Sequence, residues 1–259
     1  MTSTKYSLAI IMALFSATML AAYFGLVTYF SFPDILRESP EYILNQFSSN
    51  QSRIVIYYYL FVISQVLFIT LVLMFFAFFK EKNSALLIVA TGTGVLAGLV
   101  QAIGFLRWPF LAPFFSDIMT DPNISETAKE SVIITFQAFH QFAGIAVGEN
   151  LFFLLEGIWA ICFSIFLYNH KKLSAPLSSV PFISGILILV YSLEQFGGSL
   201  QVLAPLNVVA HGALVFWFLA LSKLLFTHSS FESQHKVGAV AAGILVTCYL
   251  IIVLPGIFT

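Results

Sequence analysis

Charge is what this sequence has least of. Only 9% of its 259 residues are Asp, Glu, Lys or Arg, whereas a soluble domain averages about 25%. That is too few to cover a water-facing surface, and an ordinary cytosolic enzyme is excluded. A basic stripe is missing too, because 11 Lys and Arg stand against 12 Asp and Glu. Nucleic acid is therefore excluded as a partner, since neutralising phosphates needs clustered positive charge. Two cysteines without a CxxC pair exclude a disulfide scaffold and a cysteine-rich metal site. The long apolar runs lack the strict alternation of a barrel strand and exceed its length.

What is there is hydrophobic, at 59% of residues. Lipid leaves a backbone that does not bond to itself unsatisfied, so a span is a helix of about 20 apolar residues. Seven stretches qualify, at 7–30, 54–79, 84–106, 142–168, 178–198, 204–226 and 237–258. The expectation is one all-α domain over 1–259, a polytopic bundle of seven transmembrane helices in a lipid bilayer. The first run is longer than the h-region of a signal peptide and is expected to stay as a helix.

Orientation follows from the connections. One set carries Lys5, Lys80, Lys82, Lys171, Lys172, Lys223 and Lys236 with only Glu81 and Glu232 as acids. The alternate set carries Asp34, Glu38, Glu41, Asp117, Asp121, Glu126 and Glu130 against Arg37, Arg53, Arg107 and Lys129. Positive residues mark the cytoplasmic side, so the N-terminus is predicted cytoplasmic and the C-terminus extracytoplasmic. The seventh helix has no Lys, which excludes a retinal-binding pump.

The outer connections at 31–53 and 107–141 are long and acidic. In the second, Asp121 or Asn123 can cap a helix, with Glu126 placed three residues after Asn123. Val132, Phe136 and Phe139 then recur at helical spacing, predicting an amphipathic interfacial helix over 124–140 before helix 4. Asn50-Gln51-Ser52 and Asn123-Ile124-Ser125 match a glycosylation acceptor on that side. Trp108 and Tyr57 to Tyr59 are expected in an outer aromatic belt, Cys162 and Cys248 as buried packing residues, and His170, His228 and His235 on the cytoplasmic surface.

Ionisable residues inside a span are costly and mark candidate sites. There are four: Glu149 and Glu156 on helix 4, Glu194 on helix 5 and His211 on helix 6. At 1.5 Å per residue, Glu149 and His211 lie about 10 Å below the outer face and Glu194 roughly 6 Å, with Glu156 nearer the midplane. Gln101, Asn150, Gln195, Asn207 and Arg107 follow the same gradient, and His140 is expected at the interface. Glu149 and Glu156 are seven apart and Asn207 and His211 four apart, each pair on one helix face. Gly144 and Gly148 allow close approach to the backbone. Packing of helices 4, 5 and 6 would bring Glu149, Glu194 and His211 to one outward-facing polar pocket.

Such residues support several chemistries. Two carboxylates and an imidazole can ligate Zn²⁺, although no HExxH or ExxH spacing joins them, so Glu149, Glu194 and His211 are only the lesser, metal-binding alternative. Haem would need a second histidine facing His211 within the membrane. A carboxyl that exchanges a proton suits a coupled transporter. As interhelical hydrogen-bond glue the same side chains would be worth about 0.6 kcal/mol each.

The run Gly104-Phe105-Leu106-Arg107-Trp108-Pro109-Phe110, then Phe136-Gln137-Ala138-Phe139-His140-Gln141 and Gly144-Ile145-Ala146-Val147-Gly148-Glu149, resembles a bacterial multi-pass membrane family catalogued only as a domain of unknown function. The resemblance extends from the Phe32-Pro33-Asp34-Ile35-Leu36 segment through helix 6. It implies a helical bundle in the bacterial cytoplasmic membrane and brings no assigned reaction. In the family pattern His often follows the motif Glu, whereas this chain has Asn150, which weakens a metal site there. Arg107, His140 and Glu149 are the motif residues that the resemblance puts first.

The leading expectation is a pocket for a small or lipid-like ligand, used in transport or sensing, with no resident cofactor. Arg107 would pair an anionic group, Glu149 and Glu194 would carry protons or pair a cation, and His211 would orient them. An intramembrane enzyme using the Glu/Glu/His set for acid–base or metal-assisted chemistry is the alternative. A structural or accessory subunit is the third.

Overall fold

The structure, a computed structural model, describes residues 2–227 except 80 and 82. Among the described residues the chain is helical and contains no strand, as apolar runs of this length require if every backbone group is to be bonded internally. The helices are α1 (Thr2–Phe30), α2 (Pro40–Ser49), α3 (Gln51–Phe78), α4 (Ala85–Phe110), α5 (Ala112–Thr120), α6 (Glu126–Phe139), α7 (Phe152–Asn169), α8 (Ala175–Tyr191) and α9 (Pro205–Thr227). Short 3-10 turns occupy Asp34–Arg37, Ser192–Phe196 and Gly198–Leu203, and His140–Leu151 is π-helical. Six stretches among the described residues are long and apolar enough to cross a membrane: Thr4–Phe30, Gln51–Phe78, Ala85–Thr120, Glu126–Asn169, Ala175–Phe196 and Gly198–Thr227. The expected seventh helix at 237–258 lies outside the described residues, as do His228, His235 and Cys248.

The acidic connections are more ordered than expected. In the first, Ser39 caps α2, its hydroxyl accepting from the Tyr42 amide at 3.4 Å, with Pro40 in the first turn where a missing N–H costs nothing. In the second, α4 carries on past Arg107 and Trp108 to Phe110, and the chain restarts as α5 just beyond Pro109. The cap of α6 is Ser125, whose hydroxyl accepts from the Ala128 amide at 3.3 Å. Asp121, expected as a cap, instead accepts from the Asn123 amide at 2.9 Å in a local turn.

The interfacial helix expected over 124–140 is present as α6, but it does not stop before helix 4. It runs without a break through the π-helical segment into α7, because no Pro or Gly stands between Pro122 and Gly144 to interrupt it. Val132 and Phe136 are buried as expected, but Phe139 is exposed. Helix 5 is shorter than expected: α8 ends at Tyr191, and Gly197 and Gly198, at φ 73° and 63°, turn the chain through conformations that disfavour a Cβ. Glu194 therefore lies in a 3-10 turn rather than in the helix.

The chain forms two compact units. One comprises 17–66 and 99–151. Its core gathers Phe30, Phe47, Tyr58, Phe61, Trp108, Phe115 and Phe136, with Tyr58 stacked on Trp108 at 4.7 Å and Phe30 edge-on to Trp108 at 5.1 Å. Tyr58 and Trp108 are thus buried core residues rather than part of an aromatic belt. The Ser116 hydroxyl donates to the Leu44 carbonyl at 3.2 Å, fastening α5 to α2.

The other unit comprises 1–16, 67–98 and 152–259, described here to residue 227. Trp159 centres its core, 4.8 Å from Phe68, 5.8 Å from Phe163 and 6.2 Å from Phe218. Gly157 and Gly185 let α7 and α8 meet almost backbone to backbone, since a Cβ on Gly185 would stand 2.8 Å from the Gly157 carbonyl oxygen. The Ser164 hydroxyl donates to the Ser178 carbonyl and Trp217 Nε1 donates to the Leu177 carbonyl at 2.8 Å. Lys172, after α7, pairs with Glu81, between α3 and α4, at 2.8 Å, which places these two connections together. Cys162 is only partly buried and His170 is exposed.

Candidate functional site

The polar residues of the first unit gather on Arg107. Its place near the end of α4 puts it one residue from the buried Trp108, and its guanidinium lies 5.2 Å from the Trp108 ring centre. Nη1 donates to the Gly104 carbonyl at 2.6 Å, while the buried Nε has no partner among the described residues. Facing it is Gly144 of the π-helical segment, where a Cβ would stand 2.6 Å from the guanidinium carbon. Gly148 repeats this one turn on: its added Cβ would lie 2.7 Å from the Gly104 Cα. The glycine pair expected to admit a neighbour therefore admits α4, through both its backbone and its arginine.

Around Arg107 stand Tyr58, Glu149 and His140, each within electrostatic reach of it. His140 Nε2 lies 3.3 Å from the Leu36 carbonyl oxygen. A carbonyl only accepts, so Nε2 carries the hydrogen and the buried Nδ1, which has no partner among the described residues, is a bare lone pair in the neutral ring. The Tyr58 hydroxyl is also buried and without a partner among the described residues. Glu149 pairs with Arg37 of the preceding 3-10 turn at 3.7 Å. Gln101 shares the α4 face of Gly104 and Trp108 by helical spacing and buries an Oε1 that has no partner among the described residues. His140, expected at the interface, is buried with ring contacts to Phe136 and Trp108. Asn150 is partly buried on the same π-helical segment.

In the second unit a different pair forms. His211 Nε2 stands 2.8 Å from Glu156 Oε2, and His211 Nδ1 lies 3.0 Å from the backbone oxygen of Asn207. The four-residue spacing of Asn207 and His211 is realised through the Asn207 carbonyl. Phe152 and Phe153 flank the imidazole at 6.0 and 5.8 Å. Glu194 is buried and accepts from the Gln195 side-chain amide at 3.0 Å. Among the described residues no group of three His, Cys, Asp or Glu side chains is placed to hold a metal ion.

Sequence reasoning missed Arg37 and Tyr58 as site residues. Arg37 counted only as a connection charge. Tyr58 was hidden in the run Tyr57-Tyr58-Tyr59, in which only Tyr58 is wholly buried. The spacing of Glu149 to Glu156 assumes α geometry, whereas the chain is π-helical, with its i to i+5 bonds, as far as Leu151.

Apolar helices that bury arginine, glutamate and histidine among aromatic rings define a multi-pass helical membrane protein. Residues 4–222 match the family model described as a domain of unknown function (DUF4386), and the chain belongs to that family. No curated protein and no solved structure matches it.

Proposed function

We propose that this protein binds a small or lipid-like anionic molecule at the Arg107 centre, for transport or sensing across the bacterial cytoplasmic membrane. The observation that carries the reading is a set of buried polar atoms without partners among the described residues, on Arg107 and on two residues within its electrostatic reach: Arg107 Nε, the Tyr58 hydroxyl and His140 Nδ1. Each such atom costs about 1–3 kcal/mol when left unmet, and a bound group that accepts from Arg107 and Tyr58 and donates to His140 removes that cost. A monoprotonated phosphate, which keeps a negative charge beside its one hydrogen, has that whole pattern, and a carboxylate has its accepting part. With Arg37 and Glu149 paired, Arg107 is the charge that such an anion answers.

In this reading seven helices span the membrane with the N-terminus cytoplasmic, and the Arg107 centre opens outward. Glu149 acts through Arg37, and Glu194 and His211 are not ligands of the anion. The test is thermal unfolding of the detergent-solubilised protein titrated with a lysophosphatidic acid, a fatty acid and inorganic phosphate. A rise in midpoint with at least one of them, lost in Arg107→Met, supports the reading. Equal responses of the wild type and the variant to all three contradict it.

A further inference from the structure

The second unit holds a buried polar pair that the Arg107 centre does not use. The Asn207 carbonyl 3.0 Å from His211 Nδ1 can only accept, so Nδ1 carries a hydrogen. That fixes what Nε2 can be. A neutral imidazole protonated at Nδ1 presents only a lone pair at Nε2, and an ionised Glu156 presents only lone pairs at Oε2. Two acceptors do not sit 2.8 Å apart without a hydrogen between them. The observed geometry therefore contains one proton, either on Glu156 as a carboxylic acid or on His211 as the imidazolium.

We propose that Glu156 and His211 form a one-proton binding site within the membrane, which ties α7 to α9 while the proton is held and drives them apart when it leaves. The proton moves between Oε2 and Nε2 in the tied state and departs to water in the released state, with no other bond made or broken. Loss of the proton turns a hydrogen bond into a repulsion between a lone pair and a carboxylate, in surroundings made of Phe152 and Phe153. This low-polarity wall strengthens both the tie and the repulsion.

Few other groups face the pair among the described residues. From α8 comes Tyr191, whose ring packs on Phe153 at 4.8 Å. The 3-10 turn after α8 brings Glu194, already bonded to Gln195. The next turn, Gly198–Leu203, has no titratable residue. From α1 come Lys5 and Tyr6, and Tyr6 packs on Phe226, 15 residues or about 22 Å along α9 from His211. Glu156 is the charged group that acts directly on the imidazole.

The experiment is nuclear magnetic resonance of the full chain labelled with 15N-histidine in lipid nanodiscs across pH, with His211 assigned by its loss in His211→Gln. A spin-label pair on α7 and α9 follows their separation. In the wild type, His211 should lose its proton-sharing signature in one step, and the separation should increase in the same step. In Glu156→Gln the amide can donate to Nε2 without any titration, so that step should vanish and the separation stay at its tied value. The exchanged pair, Glu156→His with His211→Glu, should restore one step. Arg107→Met should leave it in place, which separates failure here from failure of the anion site. A His211 signal that titrates alike in the wild type and in Glu156→Gln would overturn the proposal. So would a wild-type pair whose proton never leaves at any pH at which the protein is folded.

Discussion

At the scale of single residues, Tyr58 separates packing from binding. Its ring is held by Trp108 and its hydroxyl has no partner among the described residues. Tyr58→Phe should therefore keep or raise the stability of the ligand-free protein, by about 1 kcal/mol, because it deletes an unmet polar group. The same change should weaken binding of the anion, and calorimetry of the two proteins with and without the ligand reads both effects. Gly144→Ala is the complementary case. Its Cβ collides with the Arg107 guanidinium, so it should displace Arg107 and reduce binding nearly as far as Arg107→Met does. Glu149 was legible as a candidate because charge in an apolar run is rare and costly, and Arg107 and His140 as motif residues that the resemblance put first. Tyr58 and Arg37 were not, since one residue in a run of three tyrosines is singled out only by the rotation of α3, and Arg37 only by the fold of a connection.

At the scale of elements, the π-helical segment is the feature that composition hides. Apolar periodicity locates a helix but does not distinguish an i to i+4 ladder from an i to i+5 one, and π geometry is uncommon enough that no sequence expectation includes it. The consequence is local: Gly144 and Gly148 both meet α4, one at Arg107 and one at Gly104. Gly104→Ala puts a Cβ 2.5 Å from the Gly148 Cα, and backbone on backbone leaves no flexible end to yield. The expected loss is about 1–3 kcal/mol, read as a lower unfolding midpoint in detergent, and Gly92→Ala, where the added Cβ meets nothing within 4 Å, is the control. Gly197 and Gly198 mark a turn that the apolar run 178–198 concealed. The expected break before helix 4 failed because it rested on a change of polarity, and polarity alone does not end a helix.

At the scale of the molecule, the apolar runs made the membrane class and most helix positions readable, and the alternation of Lys with Asp and Glu supplied a topology. The Lys172–Glu81 pair joins two connections assigned to the same cytoplasmic side. The lysine, chiefly through its hydrogen bond, holds the Glu81 carboxyl below its ordinary range. Its folded pKa is the lower one, so its stabilisation is full above the ordinary carboxylate pKa and is lost as pH falls through the depressed value. Being partly exposed, the pair should contribute only about 0.2–1 kcal/mol. The wild-type advantage over Glu81→Gln should shrink on acidification and in high salt. Cysteine labelling tests the topology: in intact cells a membrane-impermeant maleimide should modify Asn123→Cys and spare Glu81→Cys, and the opposite pattern would reverse the orientation.

Native mass spectrometry of the gently solubilised protein shows whether the Arg107 centre holds an anion. The wild type should carry a bound phosphate- or carboxylate-bearing molecule that is absent from Arg107→Met and depleted in Tyr58→Phe, with the Glu156→Gln protein still loaded. The same adducts on the wild type and on Arg107→Met, or none on either after extraction into several mild detergents, would contradict the claim and leave these residues as packing.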